Sequence, residues 1–526
     1  MMGPRAVRVV VLVLVALLVL GALGAAISTL ASDDGGGGGA GRSDGPARAN
    51  PPTPPPAGAT GAPEPALAPY YSQQLSWDVC REQYECATLT VPLDYDRPTG
   101  ETIDLALLRV PAGDPDGRVG SLVVNPGGPG APGTDYAASG QFGERLAEGF
   151  DIVGFDPRGT GQSAPVDCLS DDDLEAYLAA DPSPDDQAEI EATAADVTAM
   201  TRGCSELSGE LAAHVSTVEA ARDMDVLRAA LGEPELLYLG ASYGTFLGAT
   251  YAELFPDRAG RLVLDGAVDP TLSALEQSLA QAGGFETALR SYVTDCVDGG
   301  DCFLGRSLDE GLARIASFLR TVDEEPLPAG GDRELTEGLA FTGIITPLYV
   351  RDYWTLLDRG LESAFDGDGS VLALLADAYA SRGPDGSFLN NSVEAIVPIN
   401  CLDDPATTPV DRVLDQLPAF EEAAPTLAPQ FVWSQVGCLG FEPRTAEPPP
   451  TIRAEGAAPI VVVGTTRDPA TPYEWSVALA EQLESGVLVS RDGDGHTGYG
   501  SDNPCVDDAV EDFLVDGTVP EDGLSC

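Results

Sequence analysis

The chain predicts an α/β fold, a mostly parallel central sheet flanked by helices and interrupted by a helical insertion. Three observations predict it. Apolar runs at 120–125, 235–240, 259–266 and 458–464 have strand length, and the first two end in glycine-rich turns. The run at 235–240 passes through such a turn into an amphipathic helical pattern at 244–255. From about residue 269 to 397 the strand patterns give way to helical ones, including LEQSLAQAGGFETALRSYV and DYWTLLDRGLESAFDGDGSVLALLADAYASR. An insertion of that kind between core strands normally covers a pocket.

The N-terminus comes first in the chain and lies outside this core. Arg5 and Arg8 precede an uncharged apolar stretch from 9 to about 31, which reads as an export signal. It is also long enough to span a bilayer, so residues 1–32 are a signal peptide or a membrane tether. Residues 33–69 are mostly Gly, Pro and Ala, with GGGGG and PPTPPPA. Such a segment cannot bury enough apolar surface to fold and is expected to be a disordered linker. The core is then expected in two parts, 70–268 and 398–526, around a lid at 269–397.

GASYG at 240–244 carries the chemistry. A buried strand before it and a helix after it make a sharp turn that lifts Ser242 above the sheet, as in the nucleophile elbow of the α/β-hydrolase fold. With 60 glycines in 526 residues the motif alone is weak; its flanks give it meaning. A serine hydroxyl needs a base, and the chain has two histidines, His214 and His496. In this fold the order is Ser, acid, His, and His496, in DGDGHTGYG, alone follows the serine. His214 precedes the helical pattern STVEAARDMDVLRAALG and reads as a surface or capping residue. The acid should follow a strand between them, where open α/β sheets build their sites. Asp468, in TTRDPATP after the strand at 458–464, is the choice, with Glu474 and Asp492 as fallbacks and Thr471 as a hydrogen-bond partner for Asp468. The oxyanion needs two backbone N–H donors. Tyr243, after the serine, supplies one, and Gly128 in GSLVVNPGGPG the other, with Gly127 as the alternative.

These residues resemble a known family. The chain from about Ser76 to Cys526 is similar to the α/β-hydrolases of the prolyl aminopeptidase group, and more closely to the secreted actinobacterial tripeptidyl aminopeptidases, whose C-terminal part is called TAP-like. The matching runs are NPGGPG (125–130), GFDPRGTGQS (154–163), ARDMDVLRAALGEPELLYLGASYGT (221–245), GTTRDPATPYEW (464–475) and GDGHTGYG (493–500). The family's nucleophile, acid and base fall on Ser242, Asp468 and His496. Asp156, Arg158 and Gly161 are taken as scaffold around the elbow, since GFDPRGTGQS recurs in hydrolases of other specificities. One departure is CLGFEP (438–443), where the family often has CAGWP. The resemblance implies peptide substrates with a free N-terminus, whose α-ammonium needs a carboxylate from the lid side or just after it. Glu276, Glu286, Asp403 and Asp404 are the candidates, and Trp354 and Tyr353 could line the pocket. A carboxylesterase using the same triad is the alternative, because both reactions use the same machinery; a noncatalytic binding module is a third reading.

Ten cysteines, an even number, suit an exported, disulfide-bonded chain. Short spacings favour Cys80–Cys86, Cys296–Cys302 and Cys505–Cys526, which leaves Cys168–Cys204 and Cys401–Cys438, although sequence alone leaves the connectivity open. No CxxC pair occurs and there are only two histidines, so no zinc site is expected, and the triad chemistry implies no cofactor. The net charge is −56, from 84 acidic residues against 28 basic ones, all arginine. That surface repels nucleic acid and anionic membranes, so no nucleic-acid partner is expected.

Overall fold

A computed structural model describes residues 61–444 and 447–526. The expected export signal or tether at 1–32, and the linker as far as residue 60, lie outside the described residues. The end of that expected linker is not loose. Pro65–Leu67 and Ala68–Tyr71 form short helical turns because Leu67 and Tyr71 supply apolar side chains that the Gly/Pro-rich run lacks, and both are buried in the core.

Ten strands form the main sheet: β1 (Asp78–Cys80), β2 (Tyr84–Pro92), β3 (Thr102–Val110), β4 (Gly120–Asn125), β5 (Phe150–Phe155), β6 (Leu236–Ala241) and β7 (Ala259–Asp265), then β10 (Ile460–Arg467), β11 (Gly486–Asp494) and β12 (Leu524–Ser525). A separate two-stranded ribbon, β8 (Leu327–Pro328) and β9 (Glu334–Leu335), lies within the insertion. The order is β1-β2-β3-β5-β4-β6-β7-β10-β11-β12. Pairing is antiparallel from β1 through the β3–β5 contact and parallel thereafter. This is the strand arrangement of the α/β-hydrolase fold. Its parallel strands are buried on both faces. Leu262, Leu264, Ile460 and Val462 face one core with the helices Thr217–Leu231 and Tyr243–Leu254, while Val263, Val461, Val463 and Val489 face another with the helix Pro504–Glu511.

The helix expected after His214 runs Thr217–Leu231. Ser216 caps it by accepting from Glu219 N, and Gly232 ends it at φ 79°, a left-handed position that suits glycine. Between β7 and β10 the chain is largely helical and has its own core, with Phe285, Leu289, Ile315, Leu357, Leu372, Phe420 and Trp433. Helices lie on both sides of residue 397: Ser392–Asp403 places Ala395, Ile399 and Leu402 in the main core, and the sheet resumes only at Ile460. All ten cysteines are paired, as Cys80–Cys86, Cys168–Cys204, Cys296–Cys302, Cys401–Cys438 and Cys505–Cys526.

GFDPRGTGQS is structural. Arg158 is fully buried and meets Asp223 through two hydrogen bonds of 2.7 and 2.8 Å, and it also donates to the carbonyls of Pro92, Leu93 and His214. Asp156 accepts from Thr134 N and Gln162 N, while Gly161, at φ 55°, leaves no room for a side chain beside the Asp156 carboxylate.

Candidate active site

Ser242 joins β6 to the helix Tyr243–Leu254 at φ 57° and ψ −127°. That conformation costs a residue with a Cβ about 1–3 kcal/mol, so its surroundings must enforce it. The Ser242 N–H donates to Asp265 O at 2.9 Å, and its carbonyl accepts from Thr245 N and Oγ1. The flanking glycines permit the turn: a Cβ on Gly240 would stand 2.4 Å from Gly244 O, and one on Gly244 2.9 Å from Asn125 O.

Asp468 follows β10 and is 2 % exposed. Its carboxylate accepts from Ala470 N, Thr471 N and Thr497 N, and both its oxygens lie 2.9 Å from His496 Nδ1. With Nδ1–H committed to Asp468, the neutral imidazole carries its lone pair on Nε2. Burial disfavours the imidazolium, but the Asp468 charge and hydrogen bond, with Asp265 behind them, outweigh it and hold the His496 pKa above the usual value. Thr471 Oγ1 lies 3.3 Å from Nδ1. The imidazole stands beside the elbow, since a Cβ on Gly266 would meet His496 Cε1 at 3.3 Å and Gly266 adjoins Asp265, the partner of Ala241 across β6 and β7. No hydrogen bond joins the Ser242 hydroxyl to another described residue.

The oxyanion loop separates its two glycines. Gly127 is buried and its N–H donates to Asn125 Oδ1 at 2.9 Å, whereas Gly128 is exposed and its N–H has no internal acceptor among the described residues. A Cβ on Gly127 would stand 2.8 Å from Tyr243 N. Tyr243 opens its helix, and the first N–H groups of a helix have no intrahelical acceptor.

The other sequence candidates fall elsewhere. Glu474 is exposed in the first turn of the helix Tyr473–Gln482, and Asp492 is bound to Arg467 at 2.8 Å; neither hydrogen-bonds His496. His214 Nδ1 lies 2.8 Å from Glu219 Oε1, a bond that raises its pKa. Trp354 is buried, against Tyr292 and under the Arg351 guanidinium, while Tyr353 is half-buried. Glu276 closes a capping box with Ser273. Glu286 is engaged by Thr426 and Arg290, and Asp404 by Ala274 N and Ala406 N. CLGFEP packs Phe441 into the core, and Leu439 O accepts from Thr201 Oγ1. Asp403 is nearest the elbow in its bonding. It accepts from Thr217 N at 3.0 Å and Oγ1 at 2.5 Å, and the Thr217 hydroxyl lies 2.5 Å from the Tyr243 hydroxyl. Burial pushes the Asp403 carboxyl up to about 7.

Two neighbours of His496 were not legible in the sequence. Tyr349, from the insertion, accepts the His496 N–H on its carbonyl at 2.7 Å and sets its ring edge-on to the imidazole. Asp265 binds the turn that follows the histidine. Both lie more than a hundred residues before His496, and nothing local in either segment announces the contact. The one potential metal-ligating group among the described residues is Asp181, Asp323 and Glu337, which shares no hydrogen bond with Ser242, Asp468 or His496.

With this geometry in place, likeness to known proteins bears on the chemistry. Residues 424–526 match a family described as TAP-like protein. The chain is 40 % identical to the serine protease Hip1 of Mycobacterium tuberculosis, over 87 % of this chain and 92 % of that protein. It is 38 % identical to a protein of the same species named carboxylesterase B, over 90 % and 94 %. With the tripeptidyl aminopeptidase of Streptomyces lividans it shares 31 % identity, over 86 % of each chain.

Proposed function

The chain belongs to the TAP-like α/β-hydrolases and is a serine hydrolase, and from that premise we propose that it is an exported exopeptidase that releases short peptides, tripeptides foremost, from free N-termini. The observation that carries the catalytic reading is the His496–Asp468 hydrogen bond, which commits Nδ1 and leaves the Nε2 lone pair free, on an imidazole packed against Gly266 at the end of the strand whose Asp265 carbonyl holds the Ser242 N–H. Ser242 Oγ attacks the substrate carbonyl and gives its proton to His496 Nε2; Asp468 fixes the tautomer and stabilises the imidazolium. The Tyr243 and Gly128 amides receive the developing oxyanion. His496 then protonates the leaving amine; water next gives a proton to His496 as it attacks the acyl-enzyme carbonyl, the acyl–Oγ bond breaks, and Ser242 Oγ takes the proton back as the peptide leaves.

An exopeptidase must also hold the substrate's α-ammonium, and in a partly desolvated site a cation needs a carboxylate. Asp403 supports this reading best, because it connects through Thr217 to the side chain of Tyr243, the residue after the nucleophile. Export is supported by the five disulfides and by the apolar stretch near the N-terminus, which would serve as signal or tether. Ester hydrolysis is the second reading, favoured by the relative named carboxylesterase B.

Ser242→Ala and His496→Ala should each lower kcat on a tripeptide amide reporter by several orders of magnitude with the fold intact by circular dichroism. A fluorophosphonate should label the wild type at Ser242. Labelling at any other serine, or turnover of short acyl esters with none of the peptide, would overturn the proposal.

A further inference from the structure

Asp265 ends β7 between the two halves of the site, and it holds both. Its backbone carbonyl accepts the Ser242 N–H at 2.9 Å. Its carboxylate accepts the N–H groups of Gly498 and Tyr499, at 2.8 Å each, two and three residues beyond His496. The residue is 3 % exposed and forms no ion pair among the described residues. Gly498 packs so closely on β10 that a Cβ there would stand 2.6 Å from Val463 Cγ1, so the turn rests on the sheet at this point. The charged and titratable groups that face the carboxylate are His496 and Asp468, from the loops after β11 and β10, Arg491 on β11 and Tyr136 on the helix Gly133–Ala138.

We propose that Asp265 is a positioning residue for the hydrolysis, a single carboxylate that ties the histidine turn to the strand end supporting the nucleophile. The proposal rests on the triad reading given above. Its physical basis is that two parallel N–H donors need two carboxylate oxygens. An asparagine could accept one bond but would turn its own NH2 toward the other N–H, and no neutral residue would supply the charge that helps sustain the His496 imidazolium. Misplacing a catalytic group by about 1 Å costs on the order of a hundredfold in rate, so loosening this turn should be visible in chemistry and not only in stability.

The test is the rate of fluorophosphonate labelling at Ser242 as a function of pH. The probe needs only serine attack, with the Oγ–P bond forming, fluoride leaving and the proton passing to His496, and it needs no peptide recognition. Asp265→Asn should label about ten- to a hundredfold more slowly than the wild type. The midpoint of its acid limb should move to lower pH, because the lost charge no longer favours the imidazolium; a structural lesion alone would not move that midpoint. Failure of the wild type to label at Ser242 would sink the triad reading itself. Equal labelling rates with an unmoved limb would overturn the positioning role alone. If Asp265→Asn does not fold, Asp265→Glu decides: it keeps the charge but displaces the carboxylate by one methylene, so it should label more slowly with its acid limb unmoved, and labelling at the wild-type rate would contradict the proposal.

Discussion

A serine at positive φ persists only where its neighbours over-determine it, and at Ser242 they do so with backbone bonds on both sides of the residue. The same logic of engaged groups separates the four carboxylates considered for the substrate amine. Glu276, Glu286 and Asp404 are occupied with caps and loop amides of the insertion and the segment after it, while Asp403 bonds toward the elbow. Its carboxyl is pushed up to about 7 by burial, so it is charged above that pH and neutral below. Binding of an ammonium needs the charged form. The KM for a free tripeptide should therefore rise as the pH falls through about 7, and Asp403→Asn should raise KM about ten- to a hundredfold, the worth of one charge-assisted hydrogen bond, with a smaller change in kcat. Steady-state kinetics between pH 5.5 and 8.5 checks this, and a KM unchanged in the variant would remove Asp403 from substrate binding. Ser242, Asp468 and His496 could be proposed from the sequence because the fold fixes the chain order of such a triad and because one histidine alone follows the serine. Asp265 and Tyr349 were not, since they act on backbone groups far along the chain.

At the scale of elements, the parallel strands β4, β6, β7 and β10 were the most legible part. Runs such as GSLVVN and IVVV are buried on both faces, and a continuous apolar stretch of strand length between turn residues says so directly. Boundaries were less so. The glycine-rich DGD before His496 does not look like strand, yet β11 runs on as far as Asp494, because it keeps pairing with β10 through a register shift and Arg467 binds Asp494 across the two strands. The insertion was legible as helices but not as a packed body. An amphipathic pattern shows that a helix has a buried face without showing what covers it, and the cluster of Phe285, Phe341, Tyr349 and Phe431 joins aromatic rings from four separate segments. Disulfides were legible through short spacing for Cys80–Cys86, Cys296–Cys302 and Cys505–Cys526; the longer pairs, Cys168–Cys204 and Cys401–Cys438, followed only as the remainder.

Across the whole molecule, charge governs stability. With a net charge of −56 the folded state repels itself at neutral pH, and several buried carboxyls add to the cost of charging. Asp265, at about 6, and Asp403, at about 7, are raised by burial above the ordinary carboxylate range, and Glu337 is raised for the same reason. Between about pH 4 and 7 the folded chain therefore holds protons that the unfolded chain has released, so stability falls as the pH rises through that window. His496 and His214, also raised, act in the same sense near neutrality. The Tm should be higher at pH 5 than at pH 8, and added salt should narrow the gap by screening the repulsion; a Tm that falls on acidification from 8 to 5 would contradict this account. Function at this scale depends on whether the insertion and core together recognise a chain end. The most direct test compares one tripeptide amide reporter with its N-acetylated form. Acetylation removes the ammonium and leaves the reacting carbonyl untouched, so the account predicts rapid cleavage of the free peptide and loss of most activity, at least tenfold in kcat/KM, on the blocked one. Equal turnover of the two would contradict the exopeptidase reading.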